Sequence, residues 1–244
     1  MKSKHLLLML LLALFVPWAA MAQTLTIGDG TSYSPTGSSS PTATTNGAGS
    51  PMGNAYYYCS TAQFIYTAEE LGTAKTINSV AFYHNDKSLV STVKIYLFHT
   101  TESTVNTSSY VTSGTPLYTG TNITLGGSSA GWQTFTLETP FEYNGTDNLL
   151  VVVCRTKRSD GGTPTYLTAL AWQYTSTSEN YRYMMRSNDT ESNVALSNTT
   201  TAYVRSYYRP NIQIEYELPS SCEKPATCEV SDVTHNSATL TWSG

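Results

Sequence analysis

The chain has 244 residues, of which 12% are charged and 40% hydrophobic, and its net charge is −4. That mild acidity, with no basic stripe interleaved with aromatics, excludes a nucleic-acid surface, which needs clustered Lys and Arg. Eighteen tyrosines and abundant Thr favour pleated strands, while Gly, Asn and Ser favour the turns between them.

Residues 1–22 read as a secretory signal peptide. Lys2 and Lys4 form a positive n-region, Leu6 to Val16 an apolar core, and Ala20-Met21-Ala22 a small-x-small cleavage site. The apolar run is too short to span a bilayer and no second one follows, so stable membrane insertion is not expected. Removing it takes away two lysines and no acid, which brings the net charge to −6. Residues 23–53 begin with a short strand, TLTIG, and continue in a run rich in Gly, Pro, Ser and Thr. Such a composition buries little apolar surface and predicts a long loop or tether.

From Asn54 to Leu218 the pattern becomes period-2 alternation, the mark of strands with one face on a core. NAYYYCSTAQFIY is the first such segment, and TAEELGTAK supplies a helical turn ended by Gly72. TINSVAFYHND puts Val80 and Phe82 on one face, and STVKIYLFHT alternates Val93, Ile95 and Leu97 with Thr92, Lys94 and Tyr96. Short strands follow around SSYVTS, PLYTG and NITL, and GWQTFTL sets Gln133, Phe135 and Leu137 on one side. NLLVVVC is continuously apolar, as befits a central strand buried on both faces. KRSDGGTPT then turns the chain into TYLTALAWQY as a hairpin, ENYRYMMRS is another strand, and NDTESNVALSNTT a polar connection. PNIQIEYEL closes the domain, with Ile212, Ile214, Tyr216 and Leu218 inward. Roughly ten short strands with almost no helix predict an all-β, antiparallel jelly-roll β-sandwich over residues 54–218.

The chain changes character at Pro219. In residues 219–244 the segment EVSDVTHNSATLTW resembles the first two strands of a fibronectin type III domain, with Trp242 at the place of that family's core tryptophan. A complete domain of that kind needs seven strands and roughly 90 residues. The natural protein is therefore expected to continue past Gly244 into further domains.

Four cysteines remain after cleavage, Cys59, Cys154, Cys222 and Cys228. Proximity pairs Cys222 with Cys228, which leaves Cys59 and Cys154 either bridged or as two buried thiols. No Cys/His spacing fits zinc. Asn144-Gly145-Thr146-Asp147-Asn148 offers oxygens to calcium, with Asn144 and Asp147 as ligands, and Ser159-Asp160-Gly161 is a second such loop. Asn-Gly is also the strongest hairpin-turn dipeptide, and turn chemistry is the favoured reading, so no cofactor is expected.

A nucleophilic enzyme needs a Ser or Cys beside a His. The mature histidines are His84, His99 and His235, and no GxSxG elbow occurs. Paired carboxylates for glycoside hydrolysis could be drawn from Glu69, Glu70, Glu138, Glu142 and Asp147. All of these read more simply as strand-edge or turn residues, with Glu69-Glu70 a solvated face. Carbohydrate binding needs aromatic faces for stacking. Trp132, Trp172, Tyr174, Tyr181, Tyr183, Tyr207 and Tyr208 supply them, and Trp132 and Trp172 are the candidate platform residues.

IYTAEELG, INSVAFYHND, VKIYLFHTTEST, GWQTFTLETPFEYNGTDNLLVVV and YYRPNIQIEYEL together resemble a recurring N-terminal β-sandwich module, similar in style to cleaved-adhesin jelly rolls. Such modules belong to secreted multidomain proteins of Gram-negative anaerobes that use type IX secretion, and fibronectin type III repeats commonly follow them. The resemblance implies a secreted or outer-surface binding or adhesion module without a catalytic centre, whose partners are glycans or extracellular proteins. The alternative is an accessory domain of a secreted peptidase or glycoside hydrolase whose catalytic domain lies outside this segment. Cys154 departs from the pattern, which usually ends that strand in another residue.

Overall fold

A computed structural model describes residues 22–35, 42–44, 48–107, 110–156, 169–178, 180–190, 196, 203–219 and 227–243. The chain divides into two compact units, of which Ala22–Glu217 is the larger. That unit is an antiparallel β-sandwich, as the alternation predicts.

The strands in chain order are β1 (Gln23–Ile27), β2 (Cys59–Tyr66), β3 (Lys75–His84), β4 (Ser88–Thr100), β5 (Tyr118–Gly126), β6 (Gly131–Tyr143), β7 (Asn148–Thr156), β8 (Tyr174–Ser176), β9 (Tyr183–Asn188), β10 (Tyr203–Ser206), β11 (Tyr208–Pro210) and β12 (Ile212–Glu217). One sheet runs β1-β12-β3-β6, the other β10-β9-β2-β7-β4-β5, and β11 pairs with β8 in a short ribbon. A single helical turn, α1 (Ala68–Leu71), follows β2. Thr67 and Glu70 close a capping box around it, and Gly72 ends it at φ 73°.

Between the sheets lies a core that includes Phe64, Ile95 and Val151 from one side and Phe82, Phe135 and Ile214 from the other. Phe64 and Phe82 meet edge-on across it at 5.9 Å. Strand β7 sits between β2 and β4 and is buried on both faces. Its Leu149, Val151 and Val153 enter this core, while Leu150, Val152 and Cys154 enter a second cluster with Ile65, Tyr96 and Met184 on the outer face of the six-stranded sheet. That outer face is covered by the β4–β5 connection, which lays Val105 and Tyr110 on it. The Gln63 amide clips the connection down, donating to the Val111 carbonyl at 2.9 Å and accepting from its N–H at 3.2 Å. Tyr110 to Ser113 thus serve as a cover where a strand is expected and make no ladder, and residues 108–109 of that segment lie outside the described residues.

The polar run after β1 is no tether where it is described. Residues 48–54 are all buried. Strand β1 itself is an edge strand of the sandwich, paired with β12 from Gln23–Tyr216 to Ile27–Ile212. PLYTG and NITL merge into the one strand β5. The β3–β6 register passes from Ser79–Thr136 to Ile77–Phe141, which leaves Leu137 to Pro140 as an irregularity in the pairing, with Pro140 within it. Leu218, expected to point inward, is 43% exposed. The predicted hairpin around residues 157–168 lies outside the described residues.

The described residues from Leu218 onward fall in the second unit, where β13 (Thr227–Ser231) pairs with β14 (Thr239–Ser243). The register of this antiparallel pair sets Cys228 opposite Trp242 and Val230 opposite Leu240. Val230, Val233 and Leu240 are exposed.

Candidate functional site

Strand alternation decides which aromatics face water. On β3, Phe82 and His84 point into the sandwich, so Tyr83 points out, and its register partner on β6 is Trp132. The two rings pack edge-to-face, 5.4 Å apart at 87°. Beyond Tyr83 the sheet gains two more backbones: the Gln173 N–H donates to the Tyr83 carbonyl at 2.9 Å, and Gln173 pairs in turn with Tyr33. Paired residues share a face, so Trp132, Tyr83, Gln173 and Tyr33 form one row across four adjacent backbones. Tyr33 is 38% exposed. Partial burial pushes the Tyr33 phenol above its ordinary pKa; neighbouring Tyr83 and Asp86 add to this, and a hydrogen bond from Gln173 opposes it.

Below this row the outer positions of the sheet are Gln213, Glu215, Ser79, Ala81, Thr134 and Thr136, small or polar and without a basic side chain. Glu215 accepts from the Ser79 hydroxyl at 3.1 Å. Lys87, near the end of the row, is ion-paired with Asp86 at 3.3 Å. The face therefore combines an aromatic row with hydroxyl, amide and carboxylate groups.

Trp172, the other expected platform residue, is a correction. It is 1% exposed, its ring edge-on to Phe82 at 6.4 Å and beside His84 at 5.8 Å. Its neighbour Gln173 takes the outward position, paired with Tyr33, while the tryptophan turns into the core beside His84. The tyrosines named with it separate similarly. Tyr183 is buried. Tyr174 and Tyr208 stack on each other at 4.2 Å, Tyr207 packs edge-on to Tyr208, and Arg205 covers Tyr181 at 4.5 Å. These rings spend much of their faces on one another.

At the β6–β7 turn, Asn144 and Asp147 are engaged within the turn itself. The Asn144 Oδ1 accepts from the N–H groups of Thr146 and Asp147, both at 3.0 Å, and its Nδ2 donates to Asp147 Oδ2 at 2.7 Å. An oxygen held by two N–H donors belongs to an Asx turn. Gly145 sits at φ 77° with an added Cβ only 2.4 Å from the Ala74 nitrogen, so the Asn-Gly pair is turn chemistry. The loop at residues 159–161 lies outside the described residues.

Cys59 and Cys154 are both buried, and no disulfide joins them to each other. The register sets Cys154 opposite Thr61, two positions along from Cys59. Such diagonal neighbours lie about 7–8 Å apart, beyond the usual disulfide span of about 4.4–6.8 Å. The Thr61 hydroxyl reaches the Cys154 sulfur at 3.5 Å, and burial raises the thiol's pKa, which makes it unreactive. Iodoacetamide is expected to spare both thiols in native, unreduced protein and to label both after denaturation. Recovery of a Cys59–Cys154 cross-linked peptide by mass spectrometry would refute this. Cys222 lies outside the described residues, and for Cys228 only its place on β13 is described.

Carboxylates and histidines are engaged locally. Glu138 accepts from the Thr119 N–H, Glu142 from the Thr76 hydroxyl, and His99 Nε2 from the Asn144 N–H. His84 Nδ1 lies 2.5 Å from the Asn85 carbonyl. Glu70 is a second correction, since it is no solvated face. It forms a bidentate pair with buried Arg209, at 2.6 and 2.8 Å, with Arg182 at 3.4 Å.

No protein-family model matches the chain, and no curated protein matches it. Among solved structures, the chain is similar to that of the cysteine protease and lectin-like domains of Cwp84, a surface layer associated protein of Clostridium difficile. The similarity has a TM-score of 0.36 at 12% identity and covers 66% of this chain and 33% of that one.

Proposed function

We propose that the sandwich is a non-catalytic binding module of a secreted or cell-surface protein, and that it takes carbohydrate on the outer face of the four-stranded sheet. The observation that carries this reading is the Trp132–Tyr83 pair, two aromatic rings set on a rigid solvent-facing sheet row amid hydroxyl and amide groups. A pyranose ring presents a C–H face to an aromatic ring and hydroxyls at its rim, and it needs both kinds of partner. Sheet positions hold such groups more rigidly than loops do. The same role serves an adhesin or the appendage of a hydrolase.

Glycan-array screening of the full chain, followed by calorimetric titration of the best ligand, tests the reading. Trp132→Ala and Tyr83→Ala are each expected to weaken binding about tenfold or more, equivalent to about 1.4 kcal/mol, with unchanged circular dichroism. Array binding that survives both substitutions would reject the face, and an array blank for the unaltered protein would reject the carbohydrate reading.

A further inference from the structure

The aromatic row is longer than the pair on which the proposed function rests, and its length and charge specify the ligand further. Adjacent strands lie about 4.8 Å apart, so from Trp132 to Tyr33, across Tyr83 and Gln173, the row spans about 14 Å. It runs perpendicular to the strands, with Tyr33 at its far end separated from Tyr83 by the Gln173 backbone. One sugar ring covers only part of that length. The charge on the face is equally selective. The outer positions beside the row carry Glu215 and no basic group, and the Asp86–Lys87 ion pair near Tyr33 adds no net charge. Among the described residues, an anionic chain would meet the Glu215 carboxylate and no unpaired cation on this face.

We infer that the face binds a neutral, unbranched glycan chain laid across the strands, with Trp132 and Tyr83 holding one sugar and Tyr33 with Gln173 forming a second, separate subsite further along the chain. This rests on the carbohydrate reading above and extends it to the class of ligand. A linear chain laid along the row meets one aromatic subsite after another.

The test is a titration of the full chain with linear glucan, xylan and chitin oligomers from disaccharide to hexasaccharide, with oligogalacturonates as the anionic comparison. For one neutral series, affinity is expected to rise about tenfold between the disaccharide and the longer members, because a second subsite adds its contacts at high effective concentration. Tyr33→Ala should flatten that rise and leave the disaccharide affinity unchanged. Gln173→Ala, which keeps the backbone pairing, should reduce the rise as well. Oligogalacturonates should bind at least about tenfold more weakly than the preferred neutral chain. Length-independent binding by the unaltered protein, an equal loss at every length in Tyr33→Ala, or no loss in either variant would overturn the second subsite. Strong oligogalacturonate binding would overturn the neutral class. If one of these results overturns the second subsite while Trp132→Ala still weakens binding of every oligomer, the carbohydrate reading stands and the extension falls. If no oligomer binds while the glycan array is positive, the extension falls and the carbohydrate reading stands; if the array is blank as well, both fall.

Discussion

Replacing Arg155 with methionine is expected to lower the melting temperature by about 10 °C, from a loss of about 4 kcal/mol in stability. Arg155 lies on the core side of β7 and is 2% exposed, an arrangement that ordinarily demands a carboxylate partner. It has backbone carbonyls instead. The Nε donates to Met52 O at 3.0 Å, Nη1 to Tyr58 O at 3.1 Å, and Nη2 to Asn54 O at 3.0 Å and Tyr57 O at 2.8 Å. Among the described residues no ion pair neutralises it, and burial pulls its pKa down to about 10, opposed by Cys59. It stays protonated at neutral pH, and its planar fork ties the segment Met52–Tyr58 over the end of the sandwich. Methionine fills similar volume but removes four donated hydrogen bonds, two of them buried and two half-buried. Lysine keeps the charge but concentrates three donors at one point, so Arg155→Lys should recover less than half of the loss. Thermal melts read the stability. Hydrogen exchange reads the place: the amides of residues 52–58 should lose protection before those of β2 and β7. A shift under about 3 °C in Arg155→Met would show that the clamp contributes little, since such a unit moves about 2–4 °C per kcal/mol.

Why the sequence shows the sandwich but not this clamp is a matter of range. Alternation is local, so Val93, Ile95 and Leu97, or Ile212 and Ile214, reveal their face within one strand. The unbroken run of β7 reveals burial on both faces by the same logic. It even implies that Tyr83 points outward once Phe82 is placed inward. What alternation cannot give is register, which residue of one strand lies beside which of another. The Trp132–Tyr83 pair joins residues on strands distant in sequence, and Tyr33 comes from a run whose composition reads as loop. Trp172 fails for a related reason. Its segment, residues 169–174, crosses the end of the sandwich with only isolated bridges, so its facing is set by partners at Ser34, Tyr83 and Ala171's bond to Asn85 instead of a strand's own period. Nothing in the residues flanking Arg155 and Arg209 names their partners. Only the fold supplies the carbonyl nest for one and the Glu70 carboxylate for the other.

That second pair should give the protein an acid sensitivity traceable to one residue. Burial alone would raise the Glu70 pKa. The hydrogen bonds and charge of Arg209, together with the Thr67 N–H and hydroxyl, outweigh it and hold the carboxyl at about 2 against an ordinary 4.5. Because the folded value is the lower one, the unfolded chain takes up the proton first as pH falls. The stabilisation is therefore complete above pH 4.5 and is lost as pH drops toward 2. Each tenfold difference in proton affinity between the folded and unfolded chain is worth about 1.4 kcal/mol. Solvent screening reduces this, because the Glu70 side chain is 28% exposed, and the contribution amounts to about 2 kcal/mol. Glu70→Gln keeps the capping-box geometry with Thr67 but removes the charge. It should lower stability at pH 7 and flatten the pH dependence between about 4.5 and 2. Glu70→Ala should cost more at pH 7, about 4 kcal/mol, because it removes the cap and leaves the Arg209 guanidinium, stacked on the Tyr66 ring at 4.5 Å, buried without its carboxylate. Denaturant melts of the three proteins at stepped pH separate these contributions. If Glu70→Gln keeps the full acid dependence of the unaltered protein across that window, another carboxylate sets it, and the Glu70–Arg209 pair is a packing contact whose charge adds no stability.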